Sequence, residues 1–260
     1  EGRALFKDLL INVTRFFRDP EAFKVLKQEI LPQLFADKPA DYMFRIWVAG
    51  CASGEEAYSV AILMREFMNE TQKAFKVQIY STDLDEEAIA KARAGFYPPN
   101  IAADLTPAQL HTYFLHEDAG YRVRKELREM LVFAVQNLIK DPPFSQLDLI
   151  CCRNVMIYLE PELQDQLIRS LHYALRANGV LFLSPAESIG THAELFTPLN
   201  RKWPFYRAVG ASRPNRTTLL GDLSWQTGNS GRAAKRVAGK LAPTNLAELT
   251  RRALLQSFAP

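Results

Sequence analysis

The sequence predicts an α/β fold with a mostly parallel sheet covered on both faces, and three observations predict it. Short apolar runs, such as Phe44-Arg-Ile-Trp-Val-Ala-Gly50 and Leu147-Asp-Leu-Ile-Cys151, alternate with longer amphipathic stretches. The first run passes into a turn of small residues, Gly50-Cys-Ala-Ser-Gly54, and a helix that opens on Glu55 and Glu56. Polar residues then recur directly behind the strands, where open α/β sheets bind ligands: Asp83 after the second, Gln136 and Asn137 after the third, Arg153 and Asn154 after the fourth.

Residues 1–35 read as helical, with Leu5, Phe6, Leu9 and Leu10 on one stripe, Phe23, Leu26, Ile30 and Leu34 on another, and Thr14 able to cap a turn. We expect strands at 44–50 and 76–82, each followed by a helix, at 55–69 and 85–94. Gly95-Phe-Tyr-Pro-Pro99 breaks that rhythm, and 98–130 reads as a small inserted subdomain, a helix over 106–115 with a hairpin. The α/β pattern resumes with strands at 131–135 and 147–151 and a helix over 160–176 that Asn178-Gly179 terminates. Val180–Leu183 and Pro204–Val209 read as final strands. The expected divisions are an N-terminal helical segment (1–43), an α/β domain (44–210), a flexible linker (211–243) and a helix leading into a following domain (244–260). The opening Glu1-Gly-Arg-Ala-Leu has no signal-peptide character, so we expect an excised domain.

With 48% apolar and 23% charged residues, and no apolar run of membrane-spanning length, the composition is that of a soluble, cytoplasmic domain without direct membrane insertion. The net charge of +3 is unevenly placed: eight basic and two acidic residues give 211–260 a charge of +6, leaving the first 210 residues at −3. That body lacks the basic face a nucleic-acid binder carries, so no nucleic-acid partner is expected. Cys51, Cys151 and Cys152 fall at strand ends without clustered histidines, which favours buried thiols and no metal.

Gly50, Ala52, Ser53 and Gly54 let a ligand approach the backbone closely. A phosphate loop offers bare N–H groups to an anion, but Glu55 and Glu56 add negative charge here, which suits a neutral or cationic ligand bearing hydroxyls. Asp83 can accept from both hydroxyls of a ribose. The alternative is a plain strand–helix turn with Asp83 merely capping the helix that begins near Glu86. The nicotinamide fingerprint does not match, in glycine spacing or in the position of the acid.

Five motifs together carry a family resemblance: Asn12-x-Thr14-x-Phe-Phe-Arg18, Gly50-Cys-Ala-Ser-Gly-Glu-Glu-x-Tyr-Ser59, Ser81-Thr-Asp-Leu-Asp85, Gln136-Asn-Leu138 and Cys152-Arg-Asn-Val-x-Ile-Tyr158. In this order the chain resembles the chemotaxis receptor methyltransferases of the CheR family over roughly residues 8 to 209. The resemblance implies a Rossmann-like class I S-adenosylmethionine-dependent methyltransferase that esterifies receptor glutamates and releases S-adenosylhomocysteine. It implies that Asn12, Thr14 and Arg18 bind the amino-acid end of the cofactor and shape the transfer site. Gly50, Gly54 and Glu55 would lie against the cofactor, Asp83 would hold the ribose, and Asn137 with Leu138 would flank the adenine. Arg153 and Asn154 would line the cleft, with Arg18, Arg153 and Tyr158 as the donors available to hold an incoming carboxylate. Implied partners are the cytoplasmic regions of chemoreceptors or receptor-like signalling proteins. The tail resembles the linker of hybrids fusing an esterase, this methyltransferase and sensory modules, so other domains of such a hybrid are expected too. The family commonly reads Gly-His-Ser-Glu after the late strand, whereas this chain has Ser184-Pro-Ala-Glu187. That altered loop leaves a second reading, a cofactor-binding sensory or scaffold module with little turnover. A small-molecule methyltransferase is disfavoured by the 98–130 insertion, which suits protein docking. His111, His116, His172 and His192 lie outside the motifs, and structural or surface roles are expected for them.

Overall fold

The computed structural model describes residues 14–36, 38–39 and 41–210. The expected helices at 1–13 and 244–260 and the linker lie outside them. Residues 14–19 are not helical as expected: Phe17 and Asp19 adopt left-handed backbone (φ 48° and 62°), and the helix begins at Pro20, whose fixed φ suits a first helical position. It runs as α1 (Pro20–Val25), a π-helical turn (Leu26–Ile30) and α2 (Leu31–Phe35).

Then follow β1 (Met43–Ala49), α3 (Glu55–Thr71), β2 (Lys76–Asp83) and α4 (Glu86–Ala94), close to the expected bounds. Asp85 caps α4, accepting from the Glu87 and Ala88 N–H groups. The insertion holds β3 (Phe96–Tyr97), a 3₁₀ turn (Pro99–Ala103), α5 (Pro107–Tyr113), β4 (Phe114–Glu117), β5 (Gly120–Val123) and α6 (Lys125–Arg128). Thr106 and Gln109 close a reciprocal capping box on α5, and β3, β5 and β4 form a small antiparallel sheet. The remainder comprises β6 (Leu131–Val135), β7 (Leu147–Cys151), a 3₁₀ turn (Met156–Tyr158), α7 (Pro161–Ala174), β8 (Leu175–Phe182), β9 (Phe196–Pro198) and β10 (Phe205–Ala208).

The main sheet has the order β6-β2-β1-β7-β8-β10-β9. Strands β6, β2, β1, β7 and β8 are parallel, whereas β10 pairs antiparallel with both β8 and β9. One expectation fails here. Asn178-Gly179 does not end the long helix, which stops at Ala174. The pair lies inside β8, where the register jumps from Leu147↔Leu175 to Leu149↔Val180 and Asn178 takes a left-handed φ of 65°.

The period of two along β1 sorts its side chains between two cores. Phe44, Ile46 and Val48 join the cluster under α1–α3, and Trp47 and Ala49 join the one under α7. Packing on both faces explains why the central runs are apolar apart from Arg45 in β1 and Asp148 in β7. All three cysteines are buried and unbridged, and burial pushes each thiol well above its ordinary range.

Candidate functional site

Sheet order reverses between β1 and β7, and the loops leaving these two strands touch. A Cβ on Gly50, which has φ +74°, would meet Val155 Cγ2 at 2.3 Å, so only glycine fits. A cleft of about 330 Å³ opens at this point, within the range of small-molecule sites. Its walls come from Thr14 and Arg18, the β1 exit (Gly50, Ala52), the start of α3 (Glu56), and the β2 exit (Asp83, Leu84). The β6 exit (136–139) and the β7 exit (153–155, 158, 159) complete it.

Asp83 does not cap α4, since Asp85 does that. Its carboxylate accepts from the Ala52 N–H (2.8 Å) and the Asp85 N–H (2.9 Å), which fixes the β1 exit against the β2 exit. Thr82 O reinforces this by accepting from Gly50 N–H and Cys51 N–H at 2.8 and 2.9 Å. Asn137 folds the next wall: its Oδ1 accepts from the Ile139 and Lys140 N–H groups, and Asp141 accepts from its own N–H at 2.7 Å.

Arg153 is the clasp of the site. Its side chain has no solvent exposure. One terminal nitrogen donates to Glu56 (2.9 Å), and the other to Asp19 (2.6 Å) and the Arg18 carbonyl (3.0 Å). The guanidinium also lies 4.6 Å from the Phe182 ring centroid. Both terminal nitrogens are thus committed to fixing the 18–19 turn against α3, which removes Arg153 from the donors able to meet an incoming carboxylate. Burial raises the Glu56 carboxyl, and Arg153 pulls it back down.

Two expected residues stand elsewhere. Gly54 faces α4, where an added Cβ would meet Ala92 Cβ at 2.8 Å, so its small size serves helix packing. Glu55 accepts from the Ser53 hydroxyl at 3.0 and 2.8 Å, away from the cleft, and burial raises its carboxyl. Neighbouring helical residues point about 100° apart, so one acid of the pair faces the cleft, and it is Glu56. Asn12 lies outside the described residues. Thr14, Arg18, Gly50, Asp83, Asn137, Leu138, Arg153, Asn154 and Tyr158 all line the one cleft.

Sequence reasoning set Glu56 at the ligand turn and Gln136 at a strand tip without assigning either a place among the site residues. It noted Glu187 without finding its role. That buried carboxylate accepts from the N–H groups of Asn154, Val155, Met156 and Ser184 and from the Ser184 hydroxyl, at 2.7 to 3.0 Å. It sets the loop that carries Asn154, whose φ of 58° asparagine tolerates. Among the described residues no histidine lines the cleft. His192 is instead clasped between Asp165 and Glu194.

The site also fits an adenosyl sulfonium on its unmet valences. Asn154 and Gln136 line the cleft, and among the described residues the buried side-chain oxygen of each has no hydrogen-bond partner, while Asp83 and Glu56 add negative charge. Such a set welcomes N–H and O–H donors on a cation and repels a bare phosphate.

A parallel sheet with an antiparallel end and a polar cleft at its switch point define a Rossmann-like α/β protein with a small-molecule site at the strand tips. More narrowly, the chain belongs to the CheR methyltransferase family, whose SAM binding domain matches residues 12–205. Among its relatives is the Rhodobacter capsulatus "Uncharacterized 104.1 kDa protein in hypE 3'region", 38% identical over 209 residues, covering 80% of this chain and 22% of that protein. The "Chemotaxis protein methyltransferase" of Borreliella burgdorferi is 35% identical over 191 residues, 71% of this chain and 67% of the relative. The "Chemotaxis protein methyltransferase 1" of Pseudomonas aeruginosa is 34% identical over 183 residues, 68% and 66% respectively. The chain thus spans about a fifth of the first relative and about two thirds of the other two.

Proposed function

We propose that this domain methylates glutamate side chains of chemotaxis-type receptors, using S-adenosylmethionine and releasing S-adenosylhomocysteine. The observation that carries the reading is the convergence of five distant segments, each from one of the family motifs, on one cleft. Two relatives bear the name chemotaxis protein methyltransferase.

The cofactor, when bound, supplies an electrophilic methyl group. Asp83 holds the ribose hydroxyls, and Gln136, Asn137 and Leu138 flank the base. Thr14, Arg18, Glu56 and Asn154 hold the amino-acid end, the role the family resemblance also assigns to Asn12. Arg153 acts as a positioning residue. A glutamate acceptor has an ordinary pKa of about 4.3 and is already ionised at neutral pH, so no base is required. What the protein supplies is orientation and charge stabilisation. Arg18 and the half-exposed Tyr158 at the cleft mouth are the donors that orient the acceptor carboxylate.

We read residues 44–210 as the methyltransferase body with its 98–130 insert, and the chain as one part of a longer signalling protein. The match to only 22% of a 104.1 kDa relative agrees with that arrangement. On this reading the domain works in the cytoplasm, on the cytoplasmic regions of receptors.

The test pairs calorimetry with a transfer assay. S-adenosylhomocysteine should bind the 260-residue chain, and methyl-labelled S-adenosylmethionine should leave base-labile label on acidic receptor fragments. Binding without base-labile label would leave a cofactor-binding module in place of an enzyme.

A further inference from the structure

The loop in which the sequence departs from the family pattern, Ser184-Pro-Ala-Glu187, forms one wall of a second concavity. This groove measures about 670 Å³ and lies between the β8 exit and the turn joining β9 to β10. Pro185 and Glu187 line one side, and Arg201, Lys202 and Trp203 the other. It opens on the same edge of the sheet as the cleft. Cys152 N–H donates to Phe182 O, and Leu183 N–H donates to Pro204 O, which aligns the β7, β8 and β10 ends along one rim. Glu187 belongs to both sites, lining the groove while its carboxylate holds the Asn154–Met156 loop of the cleft.

The charge in this groove is specific. The Glu187 carboxylate is buried and saturated by five donors, so it presents little anionic surface. Arg201 and Lys202 are exposed; Glu21 lies near enough to feel the Lys202 charge, but among the described residues no carboxylate comes within ion-pair distance of either cation. Their turn is built rather than loose. Asn200 Oδ1 accepts from the Lys202 and Trp203 N–H groups at 2.8 and 2.9 Å, and Asn200 Nδ2 donates to Glu29 at 3.0 Å. Lys202 Nζ stands 5.5 Å from the Trp203 ring centroid, which sets an aromatic face beside two cations on a body of net charge −3.

We propose that this groove receives the acidic protein segment flanking the glutamate to be methylated. Arg201 and Lys202 meet its carboxylates, and Trp203 with the prolines covers its aliphatic stems. The inference rests on the methyltransferase reading for the occupant's identity. Its physical content is separate: an acidic peptide binds beside the cofactor cleft, through charge, on a preformed turn.

The experiment uses the full chain and two synthetic peptides of one helical sequence, with either glutamate or glutamine at its acidic positions. Fluorescence anisotropy in low salt should show the glutamate peptide bound and the glutamine peptide not. Charge reversal in R201E/K202E should weaken the glutamate peptide by about tenfold or more, and added salt should erase the difference. In the same variant S-adenosylhomocysteine should bind as in the parent, which also reports that the fold is intact. Equal peptide affinity in parent and variant, or no preference for glutamate over glutamine, overturns the groove assignment and leaves the methyltransferase reading standing. Failure of the parent to bind S-adenosylhomocysteine overturns the methyltransferase reading, while the peptide comparison still decides the groove.

Discussion

The two ends of the central strands differ in how fully their polar side chains are matched. At the amino-terminal edge Asp148, the second residue of β7, is saturated: it accepts from the Tyr42 hydroxyl, the Arg45 N–H and Arg176, with Lys38 nearby. Arg176 also donates to the Tyr42 hydroxyl. At the carboxyl-terminal edge Asp83 ties two loops together, yet Asn154 Oδ1 and Gln136 Oε1 stay unmatched beside it. Burying an unmatched acceptor costs about 1–3 kcal/mol. Open valences also occur away from the cleft, at Arg45 Nε and Ser81 Oγ of the same sheet, so it is the pairing of two such acceptors with a concave, acidic cleft that distinguishes the carboxyl-terminal edge.

The largest expected effect breaks the contrast from the clasp itself. Arg153→Met strands Glu56 and Asp19 without their cation and should cost about 3–5 kcal/mol in urea unfolding. A loss below about 1 kcal/mol would show that the clasp is dispensable. Next comes a crossed pair. Asp148→Ala should cost about 2–3 kcal/mol of stability and leave S-adenosylhomocysteine affinity unchanged. Asp83→Ala should cut that affinity about a hundredfold, since two hydrogen bonds to a carboxylate are lost. If calorimetry gave both variants the same affinity, the division of labour between the edges would be wrong. Asn154→Gly sharpens the point, because glycine keeps the left-handed backbone while the carboxamide with its open acceptor is removed. It should weaken the cofactor product by about tenfold with a small change in melting temperature.

The smallest effect is set by pH. Burial and Asp148 raise the Tyr42 hydroxyl from 10.0 to about 12. The unfolded chain therefore sheds that proton near pH 10 while the folded chain holds it until about 12. The stabilisation is complete below pH 10 and declines as pH climbs from 10 through 12. Urea midpoints should fall across that window, and Tyr42→Phe should flatten the slope.

Much of this was legible in the sequence, and the reasons for the rest are physical. Strands β1, β6 and β7 were readable because their runs are mainly apolar, and β2 because its Val77, Ile79 and Tyr80 lead straight into the Ser81-Thr-Asp83 tip. The polar residues behind them were readable because strand tips are where such residues are useful. The phase of a helix was not: the choice of Glu56 over Glu55 depends on how α3 sits on the sheet. Nor could spacing reveal that Arg153 reaches back 134 positions to Asp19, or that Glu187 gathers donors from two loops. Asn178-Gly179 reads as a helix terminator because left-handed asparagine commonly is one. The same conformation also serves a bulge, and register, a long-range property, decided between the two.

The turn at residues 14–19 has a practical consequence for dividing this chain into pieces. It precedes the first strand and contributes nothing to the sheet, so a boundary drawn at Pro20 looks harmless. Yet Thr14 and Arg18 face the cleft, Phe16 packs edge-on against Tyr97 and Phe114 of the insertion, and the Phe17 N–H donates to Ser59 of α3. A fragment trimmed there would keep its scaffold and lose one side of its binding chamber. Any expression boundary for this family member belongs upstream of Thr14.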